Sequence, residues 1–260
     1  MAAQIHPTAI VDPKAELGND VIVGPYCTIG PNVKIGNGTH FQSHVVVDGW
    51  TTIGEHNVFF PFSVIGAVPQ DLKYKGEPTE LIIGDHNTIR ESVTLNLGTV
   101  QGGGKTAMGS NNLIMAGVHF GHDTIVGSRV IMANGVGLAG HVVVEDDVNI
   151  GGMVGVTQFL RLGIHCYIGG RSMIDRDVPP FAIVVGERPC ELKGANIIGL
   201  RRKGYKAPAI TAINESLKLW KRPDVMKDQS LLEIETQYGE YNEVKQLVSF
   251  IRKSENGCVK

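Results

Sequence analysis

A six-residue repeat of apolar residues constrains the fold of this 260-residue chain more than any other feature. Counted in steps of six from Ile5, eleven consecutive positions as far as Ile65 are apolar. The pattern returns at Ile83 and, after a shift of one position, runs unbroken from Met108 to Ile174. We call these apolar positions the repeat residues. A glycine often follows a repeat residue directly, and the fourth residue after it is often small or β-branched.

A period of six fits neither the 3.6-residue turn of a helix nor the simple alternation of a strand. It fits a short strand followed by a corner, in which two alternate residues point inward and glycine relieves the bend. Three such units form a triangular coil of about eighteen residues, and coils stack about 4.8 Å apart through strand hydrogen bonds. A β-sandwich would instead need turn signals every eight to twelve residues. The repeat therefore predicts a mainly β protein, a parallel β-helix of hexapeptide repeats.

The repeat ends at the sequence DVPPF, and apolar residues then recur at the three- and four-residue spacings of helices. We predict a β-helix over residues 1–186 and an α-helical C-terminal domain over residues 187–260. Two segments, near 66–82 and 96–107, break the repeat, so we expect external loops there. The predicted β-helix carries a net charge of −6 and the tail +4. A basic tail indicates an anionic partner, unless it is only a solvated cap on the β-helix.

The composition and the first residues of the chain indicate in which cellular compartment the protein is found. Hydrophobic residues make up 42% of the chain and charged residues 19%, which disfavours disorder. The first residues lack the basic and apolar regions of a signal peptide, and no apolar run is long enough to span a membrane. The four cysteines are scattered without a metal-binding spacing, which is typical of free thiols. We therefore expect a cytoplasmic protein with neither a membrane span nor a nucleic-acid partner.

Two histidines and an aspartate, in the sequence HFGHD, stand out from the repeat. Adding one coil of eighteen residues places Gly140 above His122 and His141 above Asp123, and a second coil brings Gln158 above Gly140. A neutral imidazole can take a proton from a hydroxyl near neutral pH, and a carboxylate can hold its tautomer. Gly140, without a side chain, can bring its N–H close to a developing oxyanion. This arrangement favours acyl transfer with His122 as general base.

Other interpretations of the histidines remain open. Polar surface residues are the simplest interpretation for His6, His40, His56 and His86, which share no column by sequence spacing. His119, His122 and His141 are three residues that could bind a zinc ion across a trimer interface, as in a zinc-dependent hexapeptide enzyme. A non-enzymatic scaffold whose loops bind partners is a third hypothesis.

Several motifs together resemble the UDP-N-acetylglucosamine O-acyltransferases that begin lipid A, and hence lipopolysaccharide, biosynthesis: IHPTAIV, PQDLKYKGEPT, IRESVT, GTVQGGG, HFGHD, LAGHV, GGMVGVTQF, DVPPF and GLRRKGY. The resemblance covers nearly the whole chain. It implies a cytoplasmic homotrimer of left-handed β-helices with clefts between subunits. It also implies transfer of a 3-hydroxyacyl chain from the phosphopantetheine arm of acyl carrier protein to the sugar 3-hydroxyl, with no other cofactor and no metal.

The resemblance also implies roles for individual residues. His122 would be the general base, Asp123 its partner and Gly140 the oxyanion donor, with His119, His141 and Gln158 lining the cleft. Gln70, Asp71 and Lys73 would contact the sugar nucleotide, and Asn196, Arg202 and Lys203 would lie near its uridine and phosphates. Gly170 matches the family position that limits acyl length, and a glycine there predicts a long chain. The inward-facing Cys166 is expected to pack in the core rather than carry an acyl group.

Five positions depart from the family pattern. Thr157 stands where the family usually has histidine, Asn96 and Leu97 replace a common His-Arg pair, and Ile198 replaces a common acidic residue. Lys203 replaces the second arginine of a pair. These departures leave the reaction class intact but keep a UDP-sugar with a 3-amino group open as an alternative acceptor.

Overall fold

The repeat residues form short strands, and each strand of the prism ends at or close to one of them. The computed structural model describes residues 1–260. Before the first break in the repeat it contains eleven strands: β1 (Gln4–Ile5), β2 (Ile10–Val11), β3 (Glu16–Leu17), β4 (Ile22–Val23), β5 (Thr28–Ile29), β6 (Val33–Ile35), β7 (His40–Phe41), β8 (Val46–Val47), β9 (Trp50–Ile53), β10 (Val58–Phe59) and β11 (Val64–Ala67).

The remaining repeats continue in the same way. Between the two breaks lie β12 (Glu80–Ile83), β13 (Thr88–Ile89) and β14 (Thr94–Asn96). After the second break follow β15 (Lys105–Met108), β16 (Leu113–Ile114), β17 (His119–Phe120), β18 (Ile125–Val126), β19 (Ile131–Met132), β20 (Gly137–Leu138), β21 (Val143–Val144), β22 (Asn149–Ile150), β23 (Gly155–Val156), β24 (Arg161–Leu162), β25 (Tyr167–Ile168) and β26 (Met173–Ile174).

Every third strand pairs in parallel, which builds three flat sheets around one axis. Sheet 1 begins with β1, β4 and β7, sheet 2 with β2, β5 and β8, and sheet 3 with β3, β6 and β9. Ile5 pairs with Val23, so one coil takes eighteen residues, as predicted. The architecture is a left-handed parallel β-helix of hexapeptide repeats, which confirms the predicted fold class.

The core is a column of apolar side chains along the axis of the prism. The repeat residue and the fourth residue after it both point inward, because side chains alternate along a strand and the corner restores the direction. Ile29, Phe41, Val45 and Phe59 are all fully buried. Phe41 and Phe59, one coil apart, stack with ring centroids 4.8 Å apart. Removal of this apolar surface from water is the main source of stability.

The glycine after a repeat residue serves the stacking of coils and not the bend, so our prediction for its role was wrong. A Cβ on Gly24 would lie 1.4 Å from the carbonyl oxygen of Gln42 in the next coil, which no side chain tolerates. The bend itself lies two residues later, where a residue adopts a left-handed backbone. Most of those positions are not glycine, as at His56 (φ 53°) and Asp123 (φ 61°).

Both breaks in the repeat leave the prism at the same corner, between sheets 2 and 3. Residues 68–79 connect β11 to β12, and residues 97–104 connect β14 to β15. The flanking strands nevertheless stay in register, because Ile83 pairs with Ile53 on one side and with Met108 on the other. We call this the insertion corner.

Buried asparagines hold the register of the coils that carry the insertions. Asn57, Asn87 and Asn112 stack inside the corner between sheets 3 and 1, which we call the ladder corner. The Asn57 Oδ1 accepts from the backbone N–H of Asn87 (2.9 Å), and the Asn87 Oδ1 accepts from that of Asn112 (2.9 Å). The Asn87 Nδ2 also donates to the Gly109 carbonyl (3.0 Å). Each amide thus links neighbouring coils where water is absent.

The chain after the repeats adds two more strands to sheet 1 before it becomes helical. β27 (Ala182–Val185) pairs in parallel with β25, and β28 (Glu191–Ala195) pairs with β27 in antiparallel orientation. The helices are α1 (Ile197–Arg202), α2 (Ala207–Lys221), α3 (Lys227–Tyr238) and α4 (Asn242–Arg252). Helical structure therefore begins at Ile197 and not near Glu187, and the two-domain division itself stays a prediction.

The helices pack on one another and on β28 through apolar faces. In α4, Val244, Leu247, Val248 and Ile251 are buried at the spacing of one helix face. No helix of the chain has the length and apolar character that crossing a membrane requires.

We expect Asn87→Ala to lower the free energy of unfolding by about 2–3 kcal/mol, because it leaves buried N–H and C=O groups without partners. Chemical denaturation followed by circular dichroism measures the change. Asn19→Ala is the matched control, because that side chain is exposed, and it should change stability by less than about 0.5 kcal/mol. An equal loss in both variants would contradict a register role for the ladder.

Candidate functional site

The insertion corner stacks the candidate catalytic residues above the two external segments. His122 and Asp123 follow β17, Gly140 and His141 follow β20, and Gln158 follows β23. These three strands are consecutive in sheet 2, since His119 pairs with Gly137 and Gly137 with Gly155. The structure thus brings together the column that the eighteen-residue spacing predicts.

His122 and Asp123 form a hydrogen-bonded pair. The His122 Nδ1 lies 2.8 Å from the Asp123 Oδ2, and the side chains are 16% and 1% exposed. A carboxylate only accepts, so the bond assigns the proton of the neutral imidazole to Nδ1 and leaves Nε2 as the acceptor. An acceptor nitrogen on a partly exposed ring is what a general base requires.

The second insertion, residues 97–104, holds the Asp123 carboxylate in place. The Thr99 backbone N–H donates to Oδ1 (2.7 Å), and the Thr99 hydroxyl donates to Oδ2 (2.6 Å). The Asp123 backbone N–H donates to the Thr106 hydroxyl (2.8 Å). A Cβ on Gly102 would lie 1.9 Å from the Asp123 Cγ, so only glycine fits there. The GTVQGGG segment is therefore a clamp on this aspartate.

Thr99, Gly102 and Thr106 surround Asp123 in the candidate site, and the sequence did not predict them there. The sequence did contain a signal for these residues, namely the position of the second insertion. Because Leu95 pairs with Phe120, the insertion begins in the coil directly beneath His122 and Asp123. The eighteen-residue period does not give the position of residues inside an insertion. The sequence therefore indicates only a loop for this segment.

His141 completes the cluster beside the pair. Its ring meets that of His122 edge-on, with centroids 5.0 Å apart, and stacks on Phe159 at 4.5 Å. Burial lowers the pKa of His141, although the charge of Asp123 partly opposes that shift. The side chain is therefore neutral near pH 7 and adds no positive charge next to His122.

Gly140 is required by the position of the His122 ring. A Cβ at this residue would lie 2.6 Å from the His122 Cε1. The Gly140 N–H has no hydrogen-bond partner within the protein. A free backbone donor next to an imidazole acceptor is a suitable arrangement for stabilising a developing oxyanion.

His119 faces outward from sheet 2 rather than into the His122 cluster. Its Nδ1 lies 2.7 Å from the Thr94 hydroxyl, and burial lowers its pKa. It lines a groove on the outer face of sheet 2 together with Gly137, Gly155 and Met173. Gln158 lies at the edge of this groove and is exposed.

The only residues placed to hold a metal are His122, Asp123 and His141, whose ligand atoms lie within 4.8 Å of one another. His119 is not among them, so one chain does not assemble the three-histidine zinc site considered from sequence. The donor set also fits a metal poorly. Both Asp123 oxygens already accept hydrogen bonds from Thr99, and the His122 Nδ1 donates to Asp123.

The first insertion, residues 68–79, lies near the same cluster. The charge of Asp71 raises and that of Lys73 lowers the pKa of His141, although burial is the larger influence on that group. The segment is internally ordered: the Asp71 Oδ1 accepts from the Lys73 backbone N–H (2.9 Å). Gln70 is exposed. Asp71 and Lys73 therefore act through their charges on the His122 cluster, whereas Gln70 has no contact with it within the chain.

Asn196, Arg202 and Lys203 lie elsewhere, at the ladder corner. The Asn196 side chain caps α1 by accepting from the Gly199 N–H (3.1 Å), and it donates to the His165 carbonyl (3.0 Å). Lys203 pairs with Asp147, and Arg202 is exposed. One chain does not bring these residues together with His122.

Gly170 lies at the corner between sheets 1 and 2. This corner carries the neighbouring, mutually tilted rings of Tyr26, His44 and Phe62, and we call it the aromatic corner. It is therefore at the far edge of sheet 2 from the His122 column. A Cβ at Gly170 would lie 3.2 Å from the Gly152 carbonyl oxygen, so a side chain fits after a small shift.

Two of the departures from the family pattern form hydrogen bonds within the chain, and two are apolar side chains. The Thr157 hydroxyl donates to the Ile174 carbonyl (2.8 Å), and Ile198 is exposed on α1. The Asn96 Nδ2 donates to the Val68 carbonyl (3.1 Å) and so ties the end of β14 to the start of the first insertion. Leu97 is buried beside Gly49.

Two further predictions have clear outcomes. Cys166 is fully buried, and burial strongly raises the pKa of its thiol, so it packs in the core and offers no nucleophile.

The prediction that His56 and His86 share no column was wrong. Their rings stack 5.1 Å apart at the ladder corner, because the first insertion lengthens the spacing between their coils.

Comparison with known proteins agrees with this geometry. Residues 177–259 match the model of the second domain of UDP N-acetylglucosamine O-acyltransferase. Residues 2–36, 14–49 and 105–140 match the hexapeptide repeats of bacterial transferases.

Solved structures match over nearly the whole chain. LpxA from Acinetobacter baumannii is 45% identical with a TM-score of 0.95, and the match covers 98% of this chain and 99% of that one. The UDP-N-acetylglucosamine O-acyltransferase of Moraxella catarrhalis is 41% identical with a TM-score of 0.94, over 100% of both chains. That of Bacteroides fragilis is 37% identical with a TM-score of 0.96, over 99% and 100%. The chain therefore belongs to the UDP-N-acetylglucosamine O-acyltransferase family.

Proposed function

We propose that this enzyme transfers a 3-hydroxyacyl chain from acyl carrier protein to the 3-hydroxyl of UDP-N-acetylglucosamine, as the first step of lipid A biosynthesis in the cytoplasm. The observation that carries the proposal is the His122–Asp123 pair with the free Gly140 N–H beside it. The relatives' names supply the acceptor sugar nucleotide.

The reaction begins with proton removal. The His122 Nε2 takes the proton of the sugar hydroxyl while the oxygen attacks the thioester carbonyl. The carbonyl oxygen becomes an oxyanion, to which the Gly140 N–H donates. When the tetrahedral intermediate collapses, the C–S bond breaks, and the carrier thiolate receives the proton from the imidazolium. The sugar ester and the free thiol are the products, so no acyl-enzyme forms.

Asp123 supports this cycle in two ways. Its hydrogen bond fixes the His122 tautomer, and its charge stabilises the imidazolium that forms. Thr99 keeps the carboxylate oriented toward His122 through two short hydrogen bonds. His141, neutral because burial lowers its pKa, does not compete for the Asp123 charge.

Basic side chains would bind acyl carrier protein, and an apolar groove would hold its acyl chain. Arg201, Arg202 and Lys206 are exposed at the ends of α1 and α2, and acyl carrier proteins are acidic, so long-range attraction favours docking there. The groove on sheet 2 between His119 and Met173 offers an apolar surface for the acyl chain. Gly170 borders the same sheet.

A homotrimer would join the separated parts of the site. Exposed apolar side chains gather at the aromatic corner, where Tyr26 is 59%, Phe62 60% and Met153 67% exposed. A patch of this kind marks an interaction surface. Since Asn196 and Arg202 lie at a different corner from His122, packing of neighbouring prisms is the arrangement by which one cleft would receive both sets.

A 3-amino sugar nucleotide remains the alternative acceptor. The same base serves an amine, and Asn96 stands at a position where the family commonly has histidine. The question is decided by supplying the enzyme with 3-hydroxyacyl carrier protein and either UDP-N-acetylglucosamine or its 3-amino analogue. Mass spectrometry of the products should show the ester as the main product. Transfer to the amine alone would overturn the assigned acceptor.

We expect His122→Ala to fold and assemble normally but to lose about 10²–10⁴-fold in kcat, because general-base catalysis contributes that much. A coupled assay for the released carrier thiol gives kcat. His56→Ala is the control, since His56 stacks on His86 at a different corner. A His122→Ala enzyme with near wild-type kcat would refute the role of the base.

Thr99→Val should lower kcat about ten-fold with little change in KM for either substrate. The substitution removes the hydroxyl donor to Asp123 but keeps the shape, and a hydrogen bond to a charged group contributes about 1.5–3 kcal/mol. Thr52→Val, on the exposed face of sheet 3, is the control. If Thr99→Val keeps full kcat, the clamp does not contribute to catalysis.

Gly170→Met should shift acyl preference toward shorter chains without changing the transfer chemistry. The side chain would extend along the edge of sheet 2, and the backbone needs to move only slightly away from Gly152. Competition between acyl carriers of different chain length measures the preference, with Gly170→Ala as the control for backbone effects. An unchanged length profile in the methionine variant would show that the groove ends elsewhere.

A further inference from the structure

A buried carboxylate at the ladder corner has three basic side chains around it. Asp147 is only 7% exposed. Its Oδ2 lies 2.9 Å from the Arg129 Nη2 and 3.9 Å from the His165 Nε2, and its Oδ1 accepts from the ammonium of Lys203. Arg129 and His165 belong to the prism, whereas Lys203 comes from the end of α1. The cluster therefore joins the C-terminal region to the β-helix.

Within this cluster Asp147 is negatively charged and His165 is neutral. Burial alone would raise the pKa of Asp147, but hydrogen bonds from Arg129 and Lys203 hold it below its usual value, so the group is a carboxylate. Burial lowers the pKa of His165, so that ring is neutral. Arg129 also donates to Asp146 at 2.8 Å. Arg129 is thus shared between Asp146 and Asp147, whereas Lys203 pairs with Asp147 alone.

Both ends of α1 are fixed to this corner. At the start of the helix, the Asn196 side chain donates to the His165 carbonyl. At its end, Lys203 reaches Asp147, and the following Tyr205 ring meets the His165 ring edge-on at 5.2 Å. A helix of six residues is not stable by itself, so these contacts determine where α1 lies.

Lys203 and Arg202 differ in what they contact. Arg202 is exposed and forms no ion pair within the chain, so its planar guanidinium is free to bind a diphosphate. Lys203 is engaged by a buried carboxylate that Arg129 also binds, so its ammonium is held at the ladder corner. The two adjacent cations are therefore not equivalent.

We propose that Lys203 is a positioning residue, which acts through Asp147 to hold α1 so that Arg202 faces the diphosphate of the sugar nucleotide. This inference rests on the proposed function and changes the role that family resemblance gives to Lys203. Asp147, which no motif indicated, becomes part of acceptor recognition without touching the acceptor.

A double-mutant cycle separates positioning from direct contact. Asp147→Asn and Lys203→Met should each raise KM for the UDP-sugar about five- to ten-fold and leave kcat nearly unchanged. Because the two residues act as one unit, the double variant should be no worse than the more impaired single variant. Lys203→Arg should retain most of the affinity. Titration calorimetry with UDP as the probe should show the same ranking.

The control is Lys218→Met, which removes a cation paired with Glu215 on an exposed helix face and should leave both constants unchanged. If Asp147→Asn does not fold by thermal melting, Asp147→Glu, which keeps the charge but alters its reach, takes its place in the cycle. Additive losses in the double variant would show that Lys203 contacts the nucleotide directly and would overturn the proposal. Unchanged KM in every variant would overturn it as well. A wild-type enzyme that neither transfers acyl groups nor binds UDP would instead contradict the proposed function.

Discussion

The fixed stacking of one coil on the next is the interaction on which the whole molecule depends. Parallel hydrogen bonds pair each strand with the strand eighteen residues later, as Ile5 pairs with Val23. Inside the prism the buried Asn57–Asn87–Asn112 ladder keeps that register where the insertions lengthen the chain. A slip of one residue would turn apolar side chains outward and disperse every column on the surface.

The candidate site is a direct consequence of this stacking. The insertion corner places residues 97–104 in the coil beneath His122 and Gly140 in the coil above it. Thr99 then clamps Asp123, Asp123 holds the tautomer of His122, and Gly140 leaves room for the imidazole ring. The candidate catalytic pair is thus supported from both sides by a rigid frame, an arrangement that would preorganise it for the substrates.

Much of the fold and the site is predictable from sequence because the repeat turns position along the chain into position in space. Adding eighteen to residue numbers is enough to bring His122, Gly140, His141 and Gln158 together at one corner. The same arithmetic fails wherever the chain leaves the repeat. It misses the Thr99 clamp, which lies inside an insertion, and the stacking of His56 on His86, whose coils are separated by an insertion. It also misses β28 and the Asp147–Lys203 pair, since no periodicity links the C-terminal helices to the prism.

The initial-velocity pattern tests most directly whether His122 drives acyl transfer between two bound substrates. The rate is measured while acyl carrier protein and UDP-sugar concentrations are varied against each other. Double-reciprocal plots should intersect, because both substrates must occupy the site before the acyl group moves. Parallel lines, together with an acyl-enzyme detected by intact-protein mass spectrometry, are the signature of a covalent intermediate and would contradict the account.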